Sequence, residues 1–276
     1  PPADRWDARK TSANSADLRG KIIRIKPLED IGTGTAPGVG QTYDINEITI
    51  ALGGLIHPGV LHSKLVLLEP YDPDRIPILL VHGLNSHPRM WRDVINDLRA
   101  DPKLRGRYQY MLFYYPTGWP IGYSSMRLRE ELAALEELVG KPKDMVLVGH
   151  SMGGLLSRMQ VVGPGRKLWD RQMGENADRL YTKLPADHLA KRTLIFEPDP
   201  DIGREIYIAV PHRGSGLADK SLTTWFIKLL KLPTTITSAS IDLPSNIIDH
   251  GKLTSVAGLS PTNPLFKALD EIPILV

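Results

Sequence analysis

The sequence contains no cysteine, and this absence excludes several kinds of chemistry at once. Disulfide bonds, thiolate metal sites and a cysteine nucleophile all require a thiol. The absence of cysteine does not identify the cellular compartment, because an exported protein can fold without disulfides. Apolar runs are also short: none approaches the ~18 residues that a membrane-spanning helix needs, so no transmembrane segment is predicted.

The sequence also lacks a large excess of either charge. The 276 residues include 34 Lys and Arg against 31 Asp and Glu, which gives a formal net charge of +3. Like charges never gather in the runs of about five or six that mark basic arms, so we expect no nucleic-acid partner. With 42% hydrophobic and 24% charged residues, the composition is typical of a globular protein rather than a disordered one.

Residues 1–63 are predicted to form an N-terminal arm and strands that wrap a larger domain. Residues 21–25 and 46–52 alternate as strands do. The glycine-rich segment 32–40 lacks the ending of a P-loop and the context of a dinucleotide site, so we expect a plain loop. Because the chain begins with Pro1 rather than Met, we expect a targeting segment to have been removed upstream.

Residues 64–276 are predicted to form one α/β domain, in which short apolar runs alternate with segments of helical spacing. The predicted strands are 64–68, 76–81, 108–115, 144–148 and 205–210, and the predicted helices are 88–99, 124–139, 154–162, 222–232 and 263–269. This alternation indicates a mostly parallel sheet flanked by helices. Residues 166–203 break the rhythm and are predicted to be an inserted cap or lid. Residues 272–276 look like the start of one more strand.

Residues 149–153 read Gly-His-Ser-Met-Gly and directly follow a predicted strand. A Gly-x-Ser-x-Gly sequence between a strand and a helix indicates a sharp turn that exposes the serine at the edge of the sheet. Glycines flank the serine because side chains there would collide with the neighbouring strand and helix. We therefore predict that Ser151 is a nucleophile; the alternative is a tight turn with an inert serine.

A second motif, His82-Gly83-Leu84, stands at the end of the predicted strand 76–81. Acyl transfer requires two N–H groups directed at the oxyanion, and we predict that Leu84 and Met152 supply them. Gly83 allows the backbone to approach the site closely. His82 is predicted to tie loops together, with a base or a metal ligand as alternatives. No His, Asp and Glu cluster has the spacing of a zinc site, so no metal is expected.

With both motifs in place, the chain resembles the α/β-hydrolase superfamily, in its lipase/esterase branch. The resemblance is carried by IPILLVHGLNSHPRMW, VLVGHSMGGLLSR and IAVPHRGSGLAD, at residues 76–91, 146–158 and 208–219. The stretch LEPYDPDRIPILLVHG further resembles bacterial cell-envelope hydrolases. The resemblance implies an α/β-hydrolase fold, a Ser-His-Asp/Glu triad, and hydrolysis of carboxylic esters without a cofactor. It assigns Ser151 as the nucleophile and Leu84 and Met152 as the oxyanion hole.

The resemblance also places the rest of the triad late in the chain. In this family the acid and then the histidine follow the serine, each after a further strand. If residues 272–276 are the first of those strands, the C-terminal end of the fold is incomplete, and we expect the acid and the histidine beyond residue 276. A triad within the chain is the alternative, and the residues considered for it are Asp242, Asp249, His250, His188 and His212.

The expected substrate is a small-molecule or lipid ester. Trp119 follows the predicted strand 108–115 and belongs at the same sheet edge as Ser151, where it lines a substrate pocket or packs against the lid. His82 and His150 are further candidates for the pocket. The helix 222–232 packs on the sheet or touches lipid, which leaves peripheral membrane contact open.

Two other classes of function remain open at this point. An acyltransferase or thioesterase would use the same serine turn, and a non-catalytic binding homologue would keep the fold without a triad. The missing Met, the absent cysteine and the resemblance together favour a cell-envelope or secreted location. The oligomeric state is not predicted.

Overall fold

A computed structural model describes residues 63–142, 144–214 and 259–274 of the chain. Several predictions fall outside these residues and are not tested by them. They are the N-terminal strands 21–25 and 46–52, the glycine-rich segment 32–40, the helix 222–232, and the triad alternatives Asp242, Asp249 and His250.

Five strands of the described residues form one sheet in the order β1-β3-β2-β4-β5. They are β1 Lys64–Leu67, β2 Ile76–Val81, β3 Tyr108–Tyr114, β4 Met145–His150 and β5 Ile202–Ile208. Only the β1–β3 pair is antiparallel; the other three pairs are parallel. The predicted mostly parallel sheet flanked by helices is thereby confirmed.

The apolar runs form strands because both faces of the sheet are covered. Along β2, Leu79 and Val81 pack into one core with helix residues such as Leu128, whereas Leu80 packs into a second core with Ile95. A strand buried on both faces needs apolar residues at every position, which is the pattern over 76–81.

The carboxyl ends of the central strands meet at one edge of the sheet. In the register, Val81 at the end of β2 lies opposite Phe113 on β3 and Gly149 on β4. The chain therefore leaves the sheet from neighbouring points after β2, β3 and β4. Both sequence motifs lie in these exits.

The helices between β2 and β4 depart from the predicted bounds in three places. The predicted helix 88–99 is a 3-10 turn, Pro88–Trp91, followed by α1, Arg92–Ala100. A further helix, α2, Pro102–Arg107, was not predicted; Asp101 caps it by accepting hydrogen bonds from the N–H groups of Lys103 and Leu104. Helix α3, Ile121–Val139, begins directly after Pro120 rather than at residue 124.

The segment predicted to be a cap or lid, residues 166–203, follows α4, Met152–Arg158, and is helical over much of its length; its last two residues, 202 and 203, belong to β5. It contains α5 Lys167–Met173, a 3-10 turn Gly174–Asn176, α6 Ala177–Lys183 and α7 Leu189–Leu194. Its helices share a small core around Trp169, whose indole N–H donates to the carbonyl of Ala177 at 3.0 Å. Thr193 of α7 lies against Gly122 of α3. That this segment acts as a lid stays a prediction.

The C-terminal part of the described chain contains α8, Pro264–Asp270, close to the predicted bounds. Buried Arg158 ties this helix to α4 by donating to the carbonyl of Leu269 at 2.6 Å. Ile274 forms an isolated antiparallel bridge with Val162. The described residues of the strand predicted at 272–276 therefore pair with the segment after α4 rather than with β5. Across the described ranges, no helix has the length and apolar character needed to cross a membrane.

Candidate functional site

Ser151 occupies a sharp turn between β4 and α4. Its φ of 51° and ψ of −125° are unusual for a residue with a side chain. Such backbone strain costs on the order of 1–3 kcal/mol and persists only where surrounding contacts hold it. One of these contacts is a hydrogen bond of 2.9 Å, in which the Ser151 N–H donates to the carbonyl of Ile208 on β5.

The glycines on either side of Ser151 allow α4 to pack directly against the strands. A Cβ added to Gly149 would lie 2.3 Å from the Cα of Gly154, and one on Gly153 would lie 2.3 Å from the carbonyl oxygen of Val81. Neither separation is sterically allowed. The structure thus supplies the physical reason for both glycines that the sequence motif suggested.

The loop after β2 passes against the serine. A Cβ on Gly83 would lie 2.9 Å from the Cβ of Ser151 and 3.1 Å from the carbonyl oxygen of His150. Leu84 follows, half-buried against the core, and Met152 is fully buried at the start of α4. The structure therefore brings the two backbone segments that carry the predicted N–H donors next to each other, with Gly83 against Ser151.

His82 lies beneath this loop rather than at its surface. The side chain is 1% exposed, its Nδ1 is 3.1 Å from the carbonyl oxygen of Gly83, and its ring stacks on Tyr115 at 4.5 Å. Burial lowers the pKa of His82 to about 3, so the ring is neutral near pH 7. This placement favours the interpretation of His82 as a histidine that holds loops together.

The loop after β3 reaches the same edge of the sheet. The Asn85 N–H donates to the Thr117 Oγ1 at 3.3 Å, which joins this loop to the one that carries Leu84. Trp119 is 4% exposed and packs edge-on against Tyr123 at the start of α3, with ring centroids 5.0 Å apart. Trp119 is thus near the site but buried, and its role in a pocket stays a prediction.

His150 stands beside Ser151 on β4 and is half-buried. Its Nδ1 is buried, makes no hydrogen bond within the described part of the chain, and lies 3.2 Å from the position of a Cβ on Gly83. The assignment of His150 to the pocket stays a prediction.

Two histidines considered for an in-chain triad make other contacts. His188 caps α7, since its Nδ1 accepts a hydrogen bond from the Ala190 N–H. His212 packs edge-on against Tyr207 and lies 3.4 Å from the Arg158 guanidinium. The placement of the acid and the base beyond residue 276 stays a prediction.

A partly buried polar cluster on β5 was not anticipated from the sequence. The Tyr207 hydroxyl donates to Glu205, and Arg158 of α4 lies close enough to act on the charge of Glu205. The second carboxylate oxygen of Glu205 is buried and has no hydrogen-bond partner in the described residues. The alternation of Glu205 and Tyr207 with Ile206 was the available signal, because a strand with one covered face points every second residue inward.

Glu205 is expected to make stability fall as pH rises toward neutrality. Burial raises the pKa of Glu205 from 4.5 to about 7, against the opposing effects of the Tyr207 hydrogen bond and the Arg158 charge. The folded chain therefore keeps a proton that the unfolded chain releases, and stability is lost between pH 4.5 and 7. Relative to Glu205→Gln, the wild type should lose about 2–3 kcal/mol of unfolding free energy across this range.

Urea unfolding at about pH 5 and about pH 8 measures this difference. Equal pH dependence in the wild type and Glu205→Gln would show that Glu205 keeps an ordinary pKa.

Among the described residues, no group of three or more His, Asp and Glu side chains is arranged to hold a metal ion.

A family model described as the Alpha/beta hydrolase family matches residues 78–248, well over half of the chain. No curated protein matches the chain.

Similar solved structures include a lipase from Bacillus licheniformis in its mature form, at 18% identity and a TM-score of 0.39. The match covers 75% of this chain and 64% of the lipase chain, so this chain spans a little less than two thirds of the lipase's length. An esterase from Exiguobacterium antarcticum is similar at 15% identity and a TM-score of 0.35, over 78% of this chain and 74% of the esterase chain.

Proposed function

Because the chain belongs to the alpha/beta hydrolase family, we propose that it is a serine hydrolase that cleaves carboxylic esters through an acyl-enzyme on Ser151. The observation that carries the proposal is the position of Ser151. Its strained turn lies at the carboxyl edge of a parallel sheet, with the Gly83 backbone against its side chain. In this family fold, strain of this kind presents a serine hydroxyl to a substrate.

The proposed reaction begins with attack of the Ser151 hydroxyl on the ester carbonyl. The negative charge that develops on the carbonyl oxygen is stabilised by the N–H groups of Leu84 and Met152. A histidine outside the described residues accepts the serine proton and delivers it to the departing alcohol, and an acidic side chain orients that histidine. Water then attacks the acyl-enzyme, which releases the carboxylic acid and restores the serine.

The buried state of His82 supports this division of roles. Its ring is neutral, excluded from solvent and stacked on Tyr115, so it is not available to exchange protons with a substrate. His82 therefore supports the loop, and another histidine acts as the base. The substrate class proposed is a small-molecule or lipid ester, and the proposed location is the cell envelope or outside the cell.

Hydrolysis of p-nitrophenyl acetate and p-nitrophenyl butyrate tests the function directly. We expect release of p-nitrophenol and one equivalent of carboxylic acid, with catalysis well above the buffer rate. A thioester of butyrate and added methanol serve as the comparison reactions. Faster cleavage of the thioester would favour a thioesterase, and formation of methyl butyrate in excess of the acid would favour an acyltransferase. No cleavage of any of them would contradict a hydrolase and favour a binding homologue.

A further inference from the structure

The loop that carries Leu84 is fixed at both of its ends by the segment that follows β3. This loop comprises residues 82–85. Before Gly83, the Tyr115 hydroxyl donates to the carbonyl of His82 at 2.6 Å, and the two rings stack. Tyr115 is fully buried, and burial raises the pKa of its hydroxyl, so the group stays a donor.

The second attachment lies on the other side of Leu84. The Asn85 N–H donates to the Thr117 Oγ1 at 3.3 Å, and Asn85 has a φ of 49°. A non-glycine residue in the left-handed region needs contacts that hold it there, and asparagine tolerates the region better than most residues. Thr117 is 5% exposed, so water competes poorly for its hydroxyl.

The segment that makes both attachments is itself held in place. A turn closes over Thr117, because the Trp119 N–H donates to the carbonyl of Pro116 at 3.1 Å. Pro116 fixes one backbone dihedral, and the buried Trp119 anchors the far side of the turn. Tyr115 and Thr117 thus extend from a short, supported turn, and Gly83 and Leu84 lie between their two hydrogen bonds.

An oxyanion donor acts only if its N–H is held where the charge develops. Displacements on the order of 1 Å in such groups lower rates by about 10²-fold, and a glycine in the loop would otherwise allow such movement. We propose that Tyr115 and Thr117 are positioning residues that hold the Leu84 N–H in place for catalysis. The inference deepens the proposed function and rests on it.

Replacement of Thr117 tests the inference, because one variant removes the hydroxyl that accepts from Asn85 and a second variant keeps it. Thr117→Val keeps the shape but cannot accept from Asn85, and Thr117→Ser keeps the hydroxyl. With p-nitrophenyl butyrate, we expect kcat of Thr117→Val to fall about tenfold while KM changes by less than about twofold, since the lost contact acts on the transition state. Thr117→Ser should restore kcat to within about twofold of the wild type.

Gln109→Met is the matched control at the opposite end of β3. The Gln109 side chain is buried and donates to the carbonyls of Asp72 and Arg75 at 2.7 and 2.9 Å. Its replacement removes buried hydrogen bonds from the same strand, far from Ser151 in the register. This variant should lose stability and keep kcat. An equal fall of kcat in Gln109→Met would show that the effect of Thr117→Val is only structural.

Amide hydrogen exchange over residues 82–85 gives a second measurement that does not depend on turnover. We expect faster exchange in Thr117→Val than in the wild type and Thr117→Ser. Unchanged kcat or unchanged exchange in Thr117→Val would overturn the inference. A wild type that cleaves no ester would overturn the proposed function and the catalytic role with it, whereas the exchange rates would still decide whether Thr117 holds the loop.

Discussion

Replacing Ser151 with alanine is expected to lower kcat for ester hydrolysis by about 10⁴–10⁶-fold. The substitution removes the hydroxyl that forms the acyl-enzyme and leaves the fold intact, because alanine has the same Cβ that now lies near Gly83. Loss of the nucleophile removes the covalent route, so only the much smaller acceleration from the oxyanion hole and substrate binding should remain. Initial rates with p-nitrophenyl butyrate at equal protein concentrations measure the change.

Ser157→Ala is the matched control for this prediction. Ser157 is buried on the same helix, and its hydroxyl donates to the carbonyl of Gly153 at 3.0 Å. Its loss should cost about 1 kcal/mol of stability and leave kcat nearly unchanged. If Ser151→Ala keeps more than about a tenth of the wild-type kcat, Ser151 is not the nucleophile.

The second large effect is expected at Gly153, where alanine should destabilise the fold by roughly 3 kcal/mol or more. The added Cβ would lie 2.3 Å from the carbonyl oxygen of Val81 and 2.4 Å from that of His82. Backbone oxygens of a central strand cannot move aside as a flexible side chain could, so α4 must shift away from β2. Urea unfolding followed by tryptophan fluorescence measures the loss.

Gly106→Ala is the matched control, because the same substitution there should have the opposite effect on stability. Gly106 lies in helix α2, and no heavy atom lies within 4 Å of the position of its added Cβ. Alanine there should stabilise the protein by up to about 1 kcal/mol, because glycine is a poor helix residue. A stability of Gly153→Ala equal to that of the wild type would mean that α4 does not pack against β2 as described.

The sequence allowed the sheet and the serine turn to be predicted because both depend on short-range patterns. Residues 76–81 and 144–148 are apolar at nearly every position, which is typical of strands covered on both faces. The turn at Ser151 requires glycine on both sides, because a side chain at Gly149 or Gly153 would clash with nearby backbone atoms. These features need no knowledge of distant contacts.

Helix starts were harder to predict because their signals are weak or absent. Helix α3 begins at Ile121 without a side-chain cap, so nothing in the sequence marks the three residues before Ser124. Helix α2 has a capping residue, Asp101, followed by Pro102, and that pair could have indicated it. Its short length and the glycine at 106 concealed the pattern.

The strand β5 shows how tertiary context changes an apolar pattern. The apolar run predicted a strand at 205–210, whereas β5 spans Ile202–Ile208 and its Ile206 and Ile208 are 50% and 42% exposed. β5 forms the edge of the described sheet and pairs there with β4 alone. Glu205 and Tyr207 point to the other face, where Arg158 approaches from α4. The alternation along β5 indicates that Glu205 and Tyr207 share a face, but the approach of Arg158 depends on a contact between distant segments, which the sequence does not display.

The loop contacts around the site were equally out of reach. Thr117 and Asn85 are 32 residues apart, and their hydrogen bond forms only because β2 and β3 are neighbours in the sheet. Sequence patterns predicted that both loops leave the same edge. They did not indicate which side chain of the second loop would contact the first.

Labelling with a fluorophosphonate, followed by intact mass measurement, tests the central claim most directly. The probe phosphonylates a serine only when its hydroxyl is activated as a nucleophile. We predict a single adduct on the wild type and on Ser157→Ala, and none on Ser151→Ala. An adduct that persists in Ser151→Ala, or a wild type that forms none, would contradict the assignment of Ser151 as the nucleophile of this hydrolase.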